Sequence, residues 1–128
     1  MNKLTLTLQP ATLAVCRLDS SSEIPAWSVN SEFFSITKTK DELSIVCPEQ
    51  KIPEGIKSEI GWRALKIEGP IDFSEIGVLS SVLSPLAEAG ISIFAVSTFD
   101  TDYILVKNEK LESAVSVLQK YFQINTAL

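Results

Sequence analysis

The chain has 128 residues, 45% of them hydrophobic and 21% charged, with a formal net charge of −5 and no histidine. This composition suits one compact domain or two small units sharing a core, and it sets aside disorder and collagen-like structure. An acidic balance with lysines scattered from Lys3 to Lys120 argues against nucleic acid and anionic membranes as partners, and the missing histidine removes Ser-His-Asp and Cys-His nucleophile activation.

Met1 to Leu8 alternates apolar and polar residues and lacks the continuous apolar core of a signal peptide. No apolar run approaches the ~20 residues of a membrane span, so a cytoplasmic location is expected. Thr12–Leu18 is predicted as a strand, and Asp19 to Ser22 as a polar break. Glu23 to Trp27 allows at most one helical turn. Glu32 to Thr37 and Leu43 to Cys47 read as a hairpin around Lys38-Thr39-Lys40-Asp41, and Pro48 to Gly55 as a connector. Trp62–Glu68 alternates with period two and stops at Gly69-Pro70. The following helix has Asp72 and Glu75 as an N-cap and N3 pair. Its apolar face is Ile76, Leu79, Val82, Leu83 and Leu86, and Gly90 is its stop. Pro85 is expected to kink or divide that helix. Ile91 to Ser97 and Tyr103 to Lys107 form a second hairpin around Phe99-Asp100-Thr101-Asp102. A last helix from about Lys110 buries Leu111, Ala114, Val115, Leu118 and Phe122.

The two halves resemble each other. Phe33–Val46 aligns without gaps on Ile93–Val106, so that Phe34 meets Phe94, Ile36 meets Val96 and Glu42 meets Asp102. We read this as a duplication whose first copy keeps its hairpin and loses most of its helices. Cys16 and Cys47 lie in strand-like runs and read as buried reduced thiols, with no third or fourth ligand for a metal. Trp27 and Trp62 read as core or interface anchors. The glutamates Glu23, Glu32, Glu42, Glu49, Glu54 and Glu59 read as a solvated surface.

Leu65 to Pro70, Gly77-Val78-Leu79 and Leu86 to Phe94 resemble the ACT domain family. In that family a strand and loop lead to a helix opening at a glycine, and an "AEAGISI" passage enters the next strand. Ser97 to Val106 is similar to the branch that contains the CASTOR arginine sensors and bacterial aspartokinase-like proteins. Phe33 to Thr37 with Asp41-Glu42-Leu43 resembles that branch's first unit. The resemblance implies an α+β fold of two tandem ferredoxin-like βαβ units with antiparallel sheets. The first unit, residues 1–60, is abbreviated, and the second covers 61–128. It also implies a free amino acid bound at an interface between ACT units, a homodimer, and an unknown regulated protein as output.

An amino-acid ligand needs acceptors for its ammonium and donors for its carboxylate. The loop reaching Ile76, Gly77 and Val78 lies at a helix N-terminus, where unpaired N–H groups and the positive dipole end favour a carboxylate. Gly77 serves either close ligand approach or tight helix–strand packing. Asp102 is the position that faces a cationic ligand group in the resembled branch, with Thr98 and Phe99 beside it as hydroxyl or carbonyl and apolar wall. On residues alone, Asp100 and Asp102 are equally plain turn residues. Thr101 and Tyr103 depart from the arginine sensors, so the ligand's identity stays open. Three classes compete: a small-molecule sensor, an oligomerisation module that has lost its site, and a ferredoxin-like hydrolase. The sensor is the preferred reading. A pocket filled by Phe99 and Tyr103 would mark the oligomerisation module. The hydrolase needs an arginine in a phosphate loop, and neither Arg17 nor Arg63 lies in a Gly-rich turn. No P-loop or dinucleotide fingerprint is present, so no cofactor and no catalytic residue are expected.

Overall fold

The structure, a computed structural model, describes residues 4–68 and 77–126. In chain order come β1 (Thr5–Leu18), β2 (Ser35–Lys38), β3 (Leu43–Pro48), β4 (Lys57–Ile67), α1 (Val78–Glu88), β5 (Ile93–Ser97), β6 (Asp102–Lys107), α2 (Leu111–Leu118) and β7 (Gln123–Asn125). They group into two bodies, one holding the chain up to Pro10 with Arg63–Leu128, the other Ala11–Trp62. Both boundaries fall inside strands. The division expected at residue 60 lies close to the second of them. The first differs because Leu6 and Leu8 bury their side chains in the core of the C-terminal body.

In the C-terminal body the chain runs β4-α1-β5-β6-α2-β7, the βαββαβ order of a ferredoxin-like fold. Its strand order is β7-β1-β4-β6-β5, with the first residues of β1 inserted between β7 and β4. β5 and β6 are antiparallel with Ile93 opposite Val106, while β7 lies parallel to β1 with Thr5 opposite Gln123. Period-two alternation puts Leu6, Leu8, Leu65, Ile67, Ile104 and Val106 on one face. There they meet Val82 and Leu86 of α1 and Ala114 and Leu118 of α2. Each such side chain contributes about 1.5–3 kcal/mol by leaving water.

Helix α1 opens at Gly77, in the left-handed region at φ 81; Asp72 and Glu75, expected as its cap pair, and Ile76 lie outside the described residues. It carries through Pro85 undivided. Pro85 falls one turn from the end, so its missing N–H removes only the bond to the Ser81 carbonyl, and Val82 and Leu86 on either side are fully buried. Gly90, at φ 74, ends the helix as expected. Its N–H donates to the Ala87 carbonyl at 3.0 Å, and the Ile91 N–H donates to the Leu86 carbonyl at 3.0 Å. That bond pair, with Ile91 and Leu86 in one core, is a Schellman stop. Helix α2 ends at Leu118, earlier than expected. Phe122 packs on the same core from the turn that follows.

The N-terminal body has strand order β2-β3-β1-β4 and no α-helix, only single 3₁₀ turns at Ala26–Ser28 and Glu49–Lys51. Cys16 lies opposite Ile45 and Leu18 opposite Leu43, so Cys16, Leu43, Ile45 and Cys47 share a face. Trp27, Ile52 and Ile56 cover that face from the loops. Glu49 is not plain surface: its Oε1 accepts the Gly61 N–H at 3.1 Å, where β4 takes a positive φ of 80.

The likeness between the halves recurs in structure, at a register one residue from that read in the sequence. Ile36 pairs with Ile45, and Ala95 with Ile104; Ile36, Ile45 and Ile104 lie in or against the cores. The 3₁₀ turn Glu49–Lys51 recurs as Asn108–Lys110, a shift of 59 residues (108 less 49). β3 recurs as β6 at the same shift. The gapless alignment instead sets Ile36 on Val96, which pairs with Tyr103 on the face turned away from the helices. A one-residue slip flips every side chain, and apolar residues on both faces of these strands hide it in the sequence.

Both cores should be felt independently. Ile45→Ala and Ile104→Ala are each expected to cost about 2–5 kcal/mol in urea unfolding. Ile60→Ala, at a side chain 55% exposed, should stay within about 0.5 kcal/mol.

Candidate functional site

The site is assembled at one end of the C-terminal body's sheet. Helix α1 starts at the end where β4 finishes, because it must run back across the sheet before β5 begins. The β5–β6 turn closes at that same end. The Thr98 N–H donates to the Thr101 carbonyl at 2.8 Å, and Thr98 Oγ1 accepts the Thr101 N–H at 3.1 Å. Thr101, buried, donates its hydroxyl to the Ile67 carbonyl and so pins the turn to the last residue of β4.

Asp102 is the first residue of β6 and pairs with Ser97, whose hydroxyl donates to Asp102 Oδ1. In register it continues the face of Ile104 and Val106, the face that α1 covers. Its Oδ2 has no partner among the described residues. Across from it, α1 has no side-chain cap. Gly77, as the N-cap, has no side chain with which to cap the first amides of the helix, and these carry the positive end of the helix dipole. A Cβ on Gly77 would meet nothing within 4 Å among the described residues. Tight packing therefore does not require the glycine; the left-handed backbone does.

Of the residues singled out by sequence, the structure places Gly77, Val78, Thr98, Phe99 and Asp102 at this end, while Ile76 lies outside the described residues. Val78 turns its side chain into the core, leaving its backbone to the site. Thr98 spends its hydroxyl on the turn, leaving its carbonyl. Phe99 stands 79% exposed at the turn's tip. Tyr103 pairs with Val96 on the opposite face from Asp102. Thr101, the residue that anchors the arrangement, was read only as a departure from a family pattern. A small β-branched hydroxyl next to a turn aspartate is its one sequence signal.

The arginines are engaged in holding the fold. Arg17 Nη2 donates to the Asp41 carbonyl at 2.9 Å, and Arg63 Nη2 to the Gln9 carbonyl at 3.2 Å. Among the described residues no group of three or more His, Cys, Asp or Glu is placed to hold a metal ion. Also among them, no helix is long and apolar enough to cross a membrane. Cys16 and Cys47 are buried free thiols on one face of the N-terminal body's sheet. Burial, helped by the neighbouring Cys47, pushes the Cys16 thiol from its ordinary 9.0 up to about 11, and burial raises Cys47 as well.

The βαββαβ order, with a glycine-started helix and a strand-end carboxylate at one end of the sheet, defines a ferredoxin-like α+β domain. The chain belongs to the ACT domain family, which matches residues 57–120. A second family, of N-terminal domains, matches residues 11–55. The human cytosolic arginine sensor for mTORC1 subunit 1 is 34% identical over 96 residues, covering 69% of this chain. The chain spans about three tenths of that sensor's length, since the match covers 29% of it. A crystal structure of an Agrobacterium tumefaciens protein is similar over 100% of this chain and 96% of its own, with 39% identity and a TM-score of 0.93. The regulatory subunit of aspartate kinase from Thermus thermophilus shares the fold, at 11% identity and a TM-score of 0.62, over 92% of this chain and 95% of its own.

Thr101→Val keeps the shape and removes the donor to Ile67. It is expected to cost about 1–3 kcal/mol in thermal unfolding, the usual penalty for stranding a buried carbonyl. The thiols give a pH test. A folded-state value raised above the ordinary one means that the unfolded chain releases its proton first. Stability is then fully present below about pH 9.0 and lost as pH rises toward about 11. Urea midpoints should fall across that window and the slope should lessen in Cys16→Ala. Iodoacetamide should label both thiols only after unfolding.

Proposed function

We propose that this chain is a regulatory module without catalytic chemistry of its own, which binds one free amino acid at the α1–hairpin end of its C-terminal body. The observation that carries this reading is the pairing of opposite binding chemistries at one sheet end. The amides at Gly77 and Val78, at the start of the helix, offer donors to a carboxylate, and Asp102 offers an acceptor to a cationic group. Backbone and dipole at the helix start suit what all amino acids share, so Asp102 is the selective element. A basic amino acid satisfies it best. The likeness to cytosolic arginine sensors supports the same ligand class and a cytosolic setting.

The repeat explains why one site per chain is enough to expect. The counterpart of Asp102 in the N-terminal body is Leu43, fully buried in that body's core, so the first hairpin has no carboxylate at the equivalent position. The outer wall is assigned to a second copy of the chain. β5 is an edge strand whose residues Ile93–Ser97 include no Lys or Pro to block pairing, and a homodimer through it would bring two such ends together. The output is then a ligand-dependent change in dimer packing, read by a regulated protein through different affinity for the two states. The alternative, an assembly module with a filled site, predicts Phe99 and Tyr103 packed into the opening. Phe99 stands exposed and Tyr103 lies on the other face, which favours the sensor.

Thermal unfolding against the twenty amino acids tests this reading. A ligand at 100 times its dissociation constant should add about 2.7 kcal/mol. A basic amino acid is expected to stabilise the protein at one per chain by calorimetry, and Asp102→Ala should abolish the effect. Stabilisation that survives Asp102→Ala moves the site elsewhere; silence across the panel with a stable dimer favours the assembly module.

A further inference from the structure

We propose that a second small-molecule site lies in the cleft between α2 and β1 of the C-terminal body, and that it takes a primary alkylammonium ion. This site is separate from the α1–hairpin end and does not depend on the reading given there. Its origin is a short strand. β7 covers β1 only over Thr5–Thr7, so Leu8, the next core residue, has no β7 neighbour and looks out beside α2. A cleft of about 480 Å³ opens there, a volume within the ~300–1,000 Å³ typical of small-molecule sites.

The lining is divided by chemistry. Leu8 forms an apolar floor, and Leu111 and Val115, one turn apart on α2, form an apolar wall. Glu112 and Ser116, also one turn apart, line the rim, with Asn108 before the helix. Glu112 is the one ionisable group among the described lining residues. Asn108 Oδ1 is already taken by Arg63 Nη1 at 3.4 Å, while Arg63 Nη2 is turned to the Gln9 carbonyl. Ser116, Gln119 and Thr126 add neutral oxygens to the lining, so the Glu112 carboxylate is the charged acceptor it offers a cation. An open cleft with an apolar floor and wall and one carboxylate at its rim fits an alkyl chain with a terminal ammonium. A carboxylate of the same length would meet repulsion at the same place.

The test is a titration of the ¹⁵N-labelled full chain with n-hexylammonium chloride and, separately, sodium hexanoate, followed by amide shifts. Saturable shifts at Leu8 and along Leu111–Ser116 are expected with hexylammonium only. Ser116→Trp, at an exposed rim position, should abolish them while the remaining spectrum stays native. Glu112→Gln should weaken binding about two- to fivefold, the size of a rim ion pair. If Ser116→Trp does not fold, Glu112→Lys decides, because it should reverse the preference in favour of hexanoate. Equal responses to both probes, or shifts insensitive to these variants, would overturn the proposal. Shifts confined to Gly77–Val78 and Thr98–Asp102 would also overturn it, placing amine binding at the hairpin end instead.

Discussion

The hydrogen bond from the buried Thr101 hydroxyl to the Ile67 carbonyl is the constraint on which the candidate site rests. A hairpin turn is ordinarily the loosest part of a sheet. Here the turn is closed internally by Thr98 and then tied to the last residue of β4, so its end cannot swing away from the point where α1 begins. Asp102 follows the anchor by one residue and inherits its position. Without the anchor, a carboxylate at a strand end would be one more solvated aspartate. With it, the carboxylate keeps a fixed relation to the core face that α1 covers.

The same body shows how an ACT fold takes in an extra strand without losing its order. β7 would ordinarily lie beside β4; instead β1 sits between them, parallel to β7 and held to β4 through the Glu68 N–H on the Thr5 carbonyl. Pro10 falls between the stretch paired with β7 and the stretch paired with β3, so its missing N–H interrupts neither ladder. Leu6 and Cys16 lie at even positions of this one strand, and a period of two carries Leu6 into one core and Cys16 into the other.

Much of this was legible in the sequence, and the failures have physical causes. The two hairpins, the helix face of Val82 and Leu86 and the stop at Gly90 follow from periodicity and a left-handed glycine. β7 was not foreseen because three residues are too few to show alternation. The reach of β1 back to Thr5 was not drawn, although Met1 to Leu8 alternates apolar and polar residues, because that alternation was weighed only against a signal peptide. The repeat was found with its faces inverted, since Phe94, Val96 and Tyr103 are as apolar as the core side, and only the paired register shows which face is which. At the site, the helix-start glycine and Asp102 were readable as types. Thr101 was not, because its role depends on a carbonyl 34 residues away in the chain.

The absence of a side chain at Gly77 has a consequence for how such a module changes over time. Whatever the helix start recognises, it recognises with main-chain atoms, and main-chain atoms do not mutate. On the proposed function, substitution at position 102 would reshape selectivity while the main-chain donors at the helix start stay in place. A lineage of these domains is therefore free to exchange one preferred ligand for another in single steps. The conserved half of recognition is carried by geometry rather than by residue identity.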